Sequence, residues 1–421
     1  MAAMLIGSLI ALLALGVPVG FALWLTGLGA VLIFQVTSLT QVAQSLYTGL
    51  DSFVLLAIPF FILAGNIMLR SGFAKYLFDL MQSLVGQVSG GASIGASGAS
   101  AIFGAMTGSS VASAAALGRV MIPVMGTLGY PRRFTAGLMA AGGTLGILIP
   151  PSVTFVIYAE MAQQSVKDLF IAGVIPGLVA ATAIGIVAFA IARKNGYGKQ
   201  TEPFSLRRVW SAFVMAGPAL AMPAIVLGGI YLGVFTPTEA AAVSVVYGII
   251  VGMFLYRTIK LADLPSIFVD SARSTGAILF ILSGALFVGM VATLAGIPDT
   301  IVSAIKALDL SPIAFLLLVN VMLIVLGCFL DGFTLLTVVT PLLLPTVKAL
   351  GIDPIHFAIV LTLNIEIAAI TPPIGLNLFV INGISGTTMQ EVVAGAFPFV
   401  FALMAVLLLL TFFPIITLAL L

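Results

Sequence analysis

The chain has 421 residues, of which 61% are apolar and 7% charged. Soluble domains carry about 45–50% apolar and about 25% charged residues, so a water-soluble globule is excluded: its surface could not be covered. At about 20 apolar residues per span, the apolar content suffices for about twelve membrane helices. With 16 Lys and Arg against 14 Asp and Glu the net charge is +2, which offers no basic field for nucleic acid. Cys328 is the single cysteine and His356 the single histidine. Disulfides, Cys/His metal clusters and a catalytic site needing more than one histidine therefore lack their residues. A membrane enzyme would find few reactive side chains here.

Met1 to Gly16 is apolar, yet no Lys or Arg precedes Arg70. A secretory signal needs a basic n-region. Apolar sequence resumes at Val17, so the stretch reads as membrane helix kept in the mature protein. In chain order, hydrophobic segments fall near 2–16, 17–37, 53–69, 94–125, 134–159, 170–192, 211–234, 238–256, 275–296, 312–348, 356–381 and 393–420. Between Phe73 and Leu84, apolar Phe73, Leu77, Leu80 and Leu84 alternate with Lys75, Asp79 and Gln82. That pattern suits a helix lying in the interface or one arm of a hairpin. The stretch 193–208, with five basic residues and one acid, reads as a cytoplasmic loop joining two halves.

Two segments are too polar at their centres for simple spans. Residues 90–118 are almost entirely Gly, Ala and Ser, small residues that let helix backbones approach closely in lipid. Residues 312–348 carry a polar centre from Gly327 to Thr334. Each reads as a re-entrant hairpin that turns at a polar tip, which is tolerated only inside protein or beside a water-filled cavity.

An internal repeat supports this. A shift of 222 residues lays Pro123 on Pro345, Leu128 on Leu350, Gly129 on Gly351, Ala136 on Ala358 and Pro150-Pro151 on Pro372-Pro373. Ser109, at the first tip, falls on Asp331, at the second. Placing the 193–208 loop inside puts 13 Lys and Arg on the cytoplasmic side and leaves Lys167, Lys306 and Lys348 outside. The repeats are then inverted, a signature of secondary transporters that bind substrate between them.

The residues able to carry chemistry lie at the tips and at the Pro-Pro pairs. Two prolines in succession remove helix donors and leave carbonyls free at membrane depth, where they suit Na⁺, while half-helix N-termini face an anion. Thr107, Gly108, Ser109 and Ser110 with Gly146 and Pro150 are expected to form one Na⁺ pocket. Gly327, Asp331 and Thr334 with Thr371, Pro372 and Gly375 are expected to form its mirror. Ser109 and Asp331 also suit N-capping. Thr144, Pro151, Ser152, Asn364, Glu366 and Asn377 are the candidates facing a substrate, since an ionisable group inside a span is a functional candidate by default. Glu239 reads as a helix cap, Cys328 and His356 as bystanders, and Asn66 stays open. No metal other than Na⁺, no organic cofactor and no catalytic residue is expected.

At these motifs the chain resembles the large membrane subunit of the tripartite ATP-independent periplasmic (TRAP) transporters. The matching strings are Ile58 to Gly65, Phe103 to Ser110 followed by Val111 to Gly118, Gly146 to Ser152, Gly233 to Ala241, and Gly351 through Thr371 to Gly375. They extend over nearly the whole chain. The resemblance implies an all-α polytopic inner-membrane protein with inverted repeats, two re-entrant hairpins and two broken helices. Its fold would be similar to the elevator-type divalent-anion/Na⁺ symporters. A transport domain of 53–170 plus 275–390 would move against a scaffold of 1–52, 171–274 and 391–421. The resemblance also implies Na⁺-driven import of an organic acid such as a C4-dicarboxylate, sialic acid or a sulfonate. A soluble periplasmic binding protein would deliver the substrate, and a small four-helix membrane subunit, here expected as a separate chain, would accompany the large one. A symporter or channel working without a binding protein is the alternative.

Overall fold

The computed structural model describes residues 1–198 and 204–421; residues 199–203, the middle of the expected cytoplasmic loop, lie outside the described residues. The described residues are helical, with no strand among them. The chain opens with α1 (Ala2–Ala14), α2 (Val19–Phe34) and α3 (Leu39–Leu50). Helices α4 (Ala57–Arg70) and α5 (Phe73–Val85) meet at a bend of 64°. Gly72 makes that bend with φ of +75°, a value glycine adopts without steric cost. Next come α6 (Gly91–Thr107) and α7 (Ser110–Thr127), which pack on each other. Helices α8 (Arg132–Leu148) and α9 (Val153–Ala162) are bent by 40° at the first Pro-Pro pair, and α10 (Val166–Lys194) closes the first half.

The second half runs α11 (Leu206–Tyr231), α12 (Pro237–Ile250), α13 (Leu264–Leu294), α14 (Ile297–Ala307), α15 (Pro312–Gly327), α16 (Gly332–Ala349), α17 (Pro354–Ala369), α18 (Leu376–Ser385), α19 (Met389–Phe412) and α20 (Ile415–Leu418). A π turn, Val251–Leu255, prolongs α12, and a 3₁₀ turn, Leu261–Asp263, leads into α13. Among the described residues seven helices are long and apolar enough to cross a membrane, or up to nine if each bent pair is one span. Both α3 and α14 lie where no hydrophobic segment was expected. Helix α13 runs unbroken through residue 274, where a domain boundary was expected.

The repeat seen in the sequence is a repeat of elements. Helices α7 and α16 both have 18 residues and start 222 apart, and α9 and α18 both have 10. The bonds Pro150-Pro151 and Pro372-Pro373 are both cis. The two repeats also exchange partners. Helix α9 packs on α16 while α18 packs on α7, and α12 packs on α4 while α2 packs on α13. Each half thus buries its apolar faces against the other. At the centre stand α8 and α17, buried on every side from Phe134 to Leu148 and from Ile355 to Ala368. A helix enclosed all round must be apolar all round, so each polar residue on these two needs a reason.

Candidate functional site

Both tips are built by caps. At the first, the Ser109 hydroxyl accepts from the Ala112 amide at 3.4 Å and starts α7. At the second, one Asp331 carboxylate oxygen accepts from the Phe333 and Thr334 amides, each at 3.1 Å. The other accepts from the Thr334 hydroxyl. Each cap satisfies orphan donors of its helix, so the capping expected at Ser109 and Asp331 is present.

Each tip sits against the broken helix of its own repeat. A Cβ at Gly146 would lie 2.7 Å from the Ser109 carbonyl oxygen and 2.6 Å from Ser113 Oγ. A Cβ at Gly108 would lie 3.1 Å from the Pro151 carbonyl oxygen. Thr107 and Ser113 share a hydroxyl hydrogen bond of 2.5 Å beside this contact. At the second tip the Ile374 amide donates to the Cys328 carbonyl at 3.2 Å. A cavity of about 20 Å³, space for one water or small ion, is lined there by Gly327, Asp331, Gly332 and Gly375. Thr371 donates to the Ile367 carbonyl at 2.6 Å, and Thr144 to the Ala141 carbonyl at 2.6 Å. The expected groupings, Thr107 to Ser110 with Gly146 to Pro151 and Gly327 to Thr334 with Thr371 to Gly375, are therefore spatial neighbours.

The two breaks differ in access. Pro150, Pro151 and Ser152 are buried, whereas Pro372, Pro373 and Ile374 are exposed. Pro372 borders a crevice of about 520 Å³ that it shares with Arg133 and with Met389 and Gln390 at the start of α19.

A polar cluster joins the repeats. The Asn377 amide donates to Ser110 Oγ at 2.7 Å and to the Ala140 carbonyl at 3.1 Å. Ser110 donates to Glu366 Oε2 at 3.2 Å. Ser110 and Ala140 belong to the first repeat, Glu366 and Asn377 to the second. Asn364, two residues from Glu366, points elsewhere: its amide donates to Asn320 Oδ1 at 2.8 Å, and Asn320 donates to Thr411 at 3.0 Å. Asn320 and Ser113 were not singled out in the sequence. Asn320 stands alone in the apolar run of α15, which is the signal that marks it. Asn66 is settled as a link to α13, donating to Ser271 at 2.8 Å. Glu239 closes a capping box with Thr236, and His356 pairs with Thr417 at 2.8 Å.

Known proteins place this architecture. A family model for the DctM component of tripartite ATP-independent periplasmic transporters matches residues 6–416. The C4-dicarboxylate TRAP transporter large permease protein DctM of Rhodobacter capsulatus is 38% identical over 433 residues, covering 100% of this chain and 98% of that protein. The sialic acid TRAP transporter large permease protein SiaM of Vibrio cholerae is 35% identical, covering 99% of this chain and 98% of that protein. Among solved structures, the Alcanivorax borkumensis YdaH transporter superposes with a TM-score of 0.64 at 13% identity, over 89% of this chain and 87% of that one, a likeness of fold alone.

Proposed function

Since the chain belongs to the DctM-component family of tripartite ATP-independent periplasmic transporters, we propose that it is the permease for Na⁺-driven import of an organic acid anion. A periplasmic binding protein hands over the anion, and a small membrane subunit completes the permease. The observation carrying this reading is the duplicated pairing of a capped tip with a Pro-Pro break, once in each repeat. Each pair collects hydroxyl and backbone oxygens, and the second adds the Asp331 carboxylate, the ligands a hard cation takes, in a chain with few acids to spare. The tips and breaks turn within the membrane as re-entrant hairpins and broken helices, and the body they form slides against the outer helices in an elevator-like cycle. Two Na⁺ bound with a monocarboxylate leave one net positive charge moving inward, whereas a doubly ionised dicarboxylate needs a third Na⁺ for the same net charge. The membrane potential then adds about 2.3 kcal/mol per net charge per 100 mV. C4-dicarboxylates and sialic acid, named for the two relatives above, support an organic acid anion as the substrate.

The test is uptake into proteoliposomes holding the chain and its small subunit. Uptake is expected only with a Na⁺ gradient and the cognate binding protein outside. Uptake driven equally well by a proton gradient alone, or full-rate uptake of free anion by this chain alone, overturns the reading.

A further inference from the structure

Ser110, counted with the first tip in the sequence, turns its hydroxyl to Glu366 of α17 instead, and Asn377 stands two residues beyond Gly375 of the second break. The cluster of Ser110, Glu366 and Asn377 sits where α7 and α8 of one repeat meet α17 and α18 of the other. Glu366 is 1% exposed and Asn377 0%. Each keeps one oxygen, Glu366 Oε1 and Asn377 Oδ1, buried without a hydrogen-bond partner. The hydrogen bonds run one way: the Asn377 amide donates to Ser110, whose own proton goes to Glu366 Oε2. The donors of the cluster are then spent, and only acceptors remain. No basic side chain answers the carboxylate, since the ion pair found among the described residues is Arg70–Asp270, at the surface. A buried acceptor without a donor is destabilising, and an unpaired buried carboxylate more so.

We propose that Ser110, Glu366 and Asn377 hold a single Na⁺ at the seam between the two repeats, distinct from the ions of the tip pockets. One cation answers both lone oxygens and the uncompensated charge together. The site has no twin: the shift of 222 lays Glu366 on Thr144 and Asn377 on Phe155, so the first repeat brings no acid. Because its ligands come from both repeats, the seam ion ties their relative position to Na⁺. Glu366 balances the ion's charge within the site. This inference rests on the Na⁺ coupling proposed above.

The experiment is equilibrium binding of radioactive Na⁺ to the purified chain with its small subunit, in wild type, Glu366→Gln and Asn377→Ser. Glu366→Gln is expected to lose one Na⁺ per transporter while the remaining sites still fill. Asn377→Ser is expected to weaken the same single site about tenfold, the scale seen when metal-site partners are removed. An unchanged count in Glu366→Gln shows a carboxyl neutralised by a proton and overturns the seam site while leaving the tip ions standing. A wild type that binds no Na⁺ overturns this site and the coupling together. If Glu366→Gln does not fold, Glu366→Asp keeps the charge but shortens the arm. Its Na⁺ count measured at low Na⁺ must then fall by one, and a wild-type count there overturns the proposal.

Discussion

Ser109 and Asp331 hold the same place in the two repeats with different strength. Asp331 takes two backbone amides and a hydroxyl, and Ser109 takes one amide. Loss of an N-cap costs about 0.5–2 kcal/mol, so Asp331→Ala and Ser109→Ala are both expected to lower the thermal unfolding temperature measured without Na⁺. Asp331→Asn, which still caps, is expected to restore it. The Na⁺ role is separable from the cap. Ser109→Ala and Thr371→Ala are expected to raise the Na⁺ concentration for half-maximal uptake while leaving docking of the binding protein unchanged. A Ser109→Ala variant with lowered stability but unaltered Na⁺ dependence would assign Ser109 to capping alone. The tip and break residues were legible in the sequence because prolines and polar groups inside apolar runs stand out. That Ser110, Glu366 and Asn377 share one cluster was not legible. The contacts join residues 256 and 267 positions apart, and no local pattern encodes such a meeting.

Among elements, the paired arms, the broken helices and their repetition followed from composition and spacing. The helices α3 (LTQVAQSLYTGL) and α14 (IPDTIVSAIKA) did not, because each is short and mixes polar with apolar residues. Their apolar faces are met by other elements, α3 against α13 and α14 against α13 and α16, a tertiary fact. A tight junction between elements far apart in the chain is that of α8 with α19. A Cβ at Gly137 would fall 2.0 Å from the Gly395 carbonyl carbon, and one at Gly395 would fall 2.1 Å from the Arg133 carbonyl oxygen. Here backbone meets backbone, the contact small residues permit in lipid, and no side chain can swing aside. Gly137→Ala is therefore expected to push the helices apart at a cost of at least about 1–3 kcal/mol, the usual range for overpacking. Unfolding in detergent followed by circular dichroism measures it, and a wild-type transition in that variant would show that α19 shifts freely.

At the scale of the whole molecule, orientation is the first quantity to test. An inside placement of the central loop sets thirteen Lys and Arg there against three outside. Asn195, exposed at the end of α10, and Lys306, on α14, should then face opposite compartments. In a Cys328→Ser background an impermeant thiol reagent applied from the periplasm is expected to label Lys306→Cys and spare Asn195→Cys; the reverse pattern inverts the topology. The unequal breaks have a further consequence. Two halves of like build that share one seam, one break buried and the other open, form a figure whose mirror partner is specified by the same chain. Let each repeat adopt the posture of the other, and Ile149 to Ser152 come to the surface while Pro372 to Ile374 are sealed. On the proposed transport cycle, the duplication supplies the opposite pose. A thiol placed at Ser152 should react only as the transporter turns over, at the rate of the cycle itself.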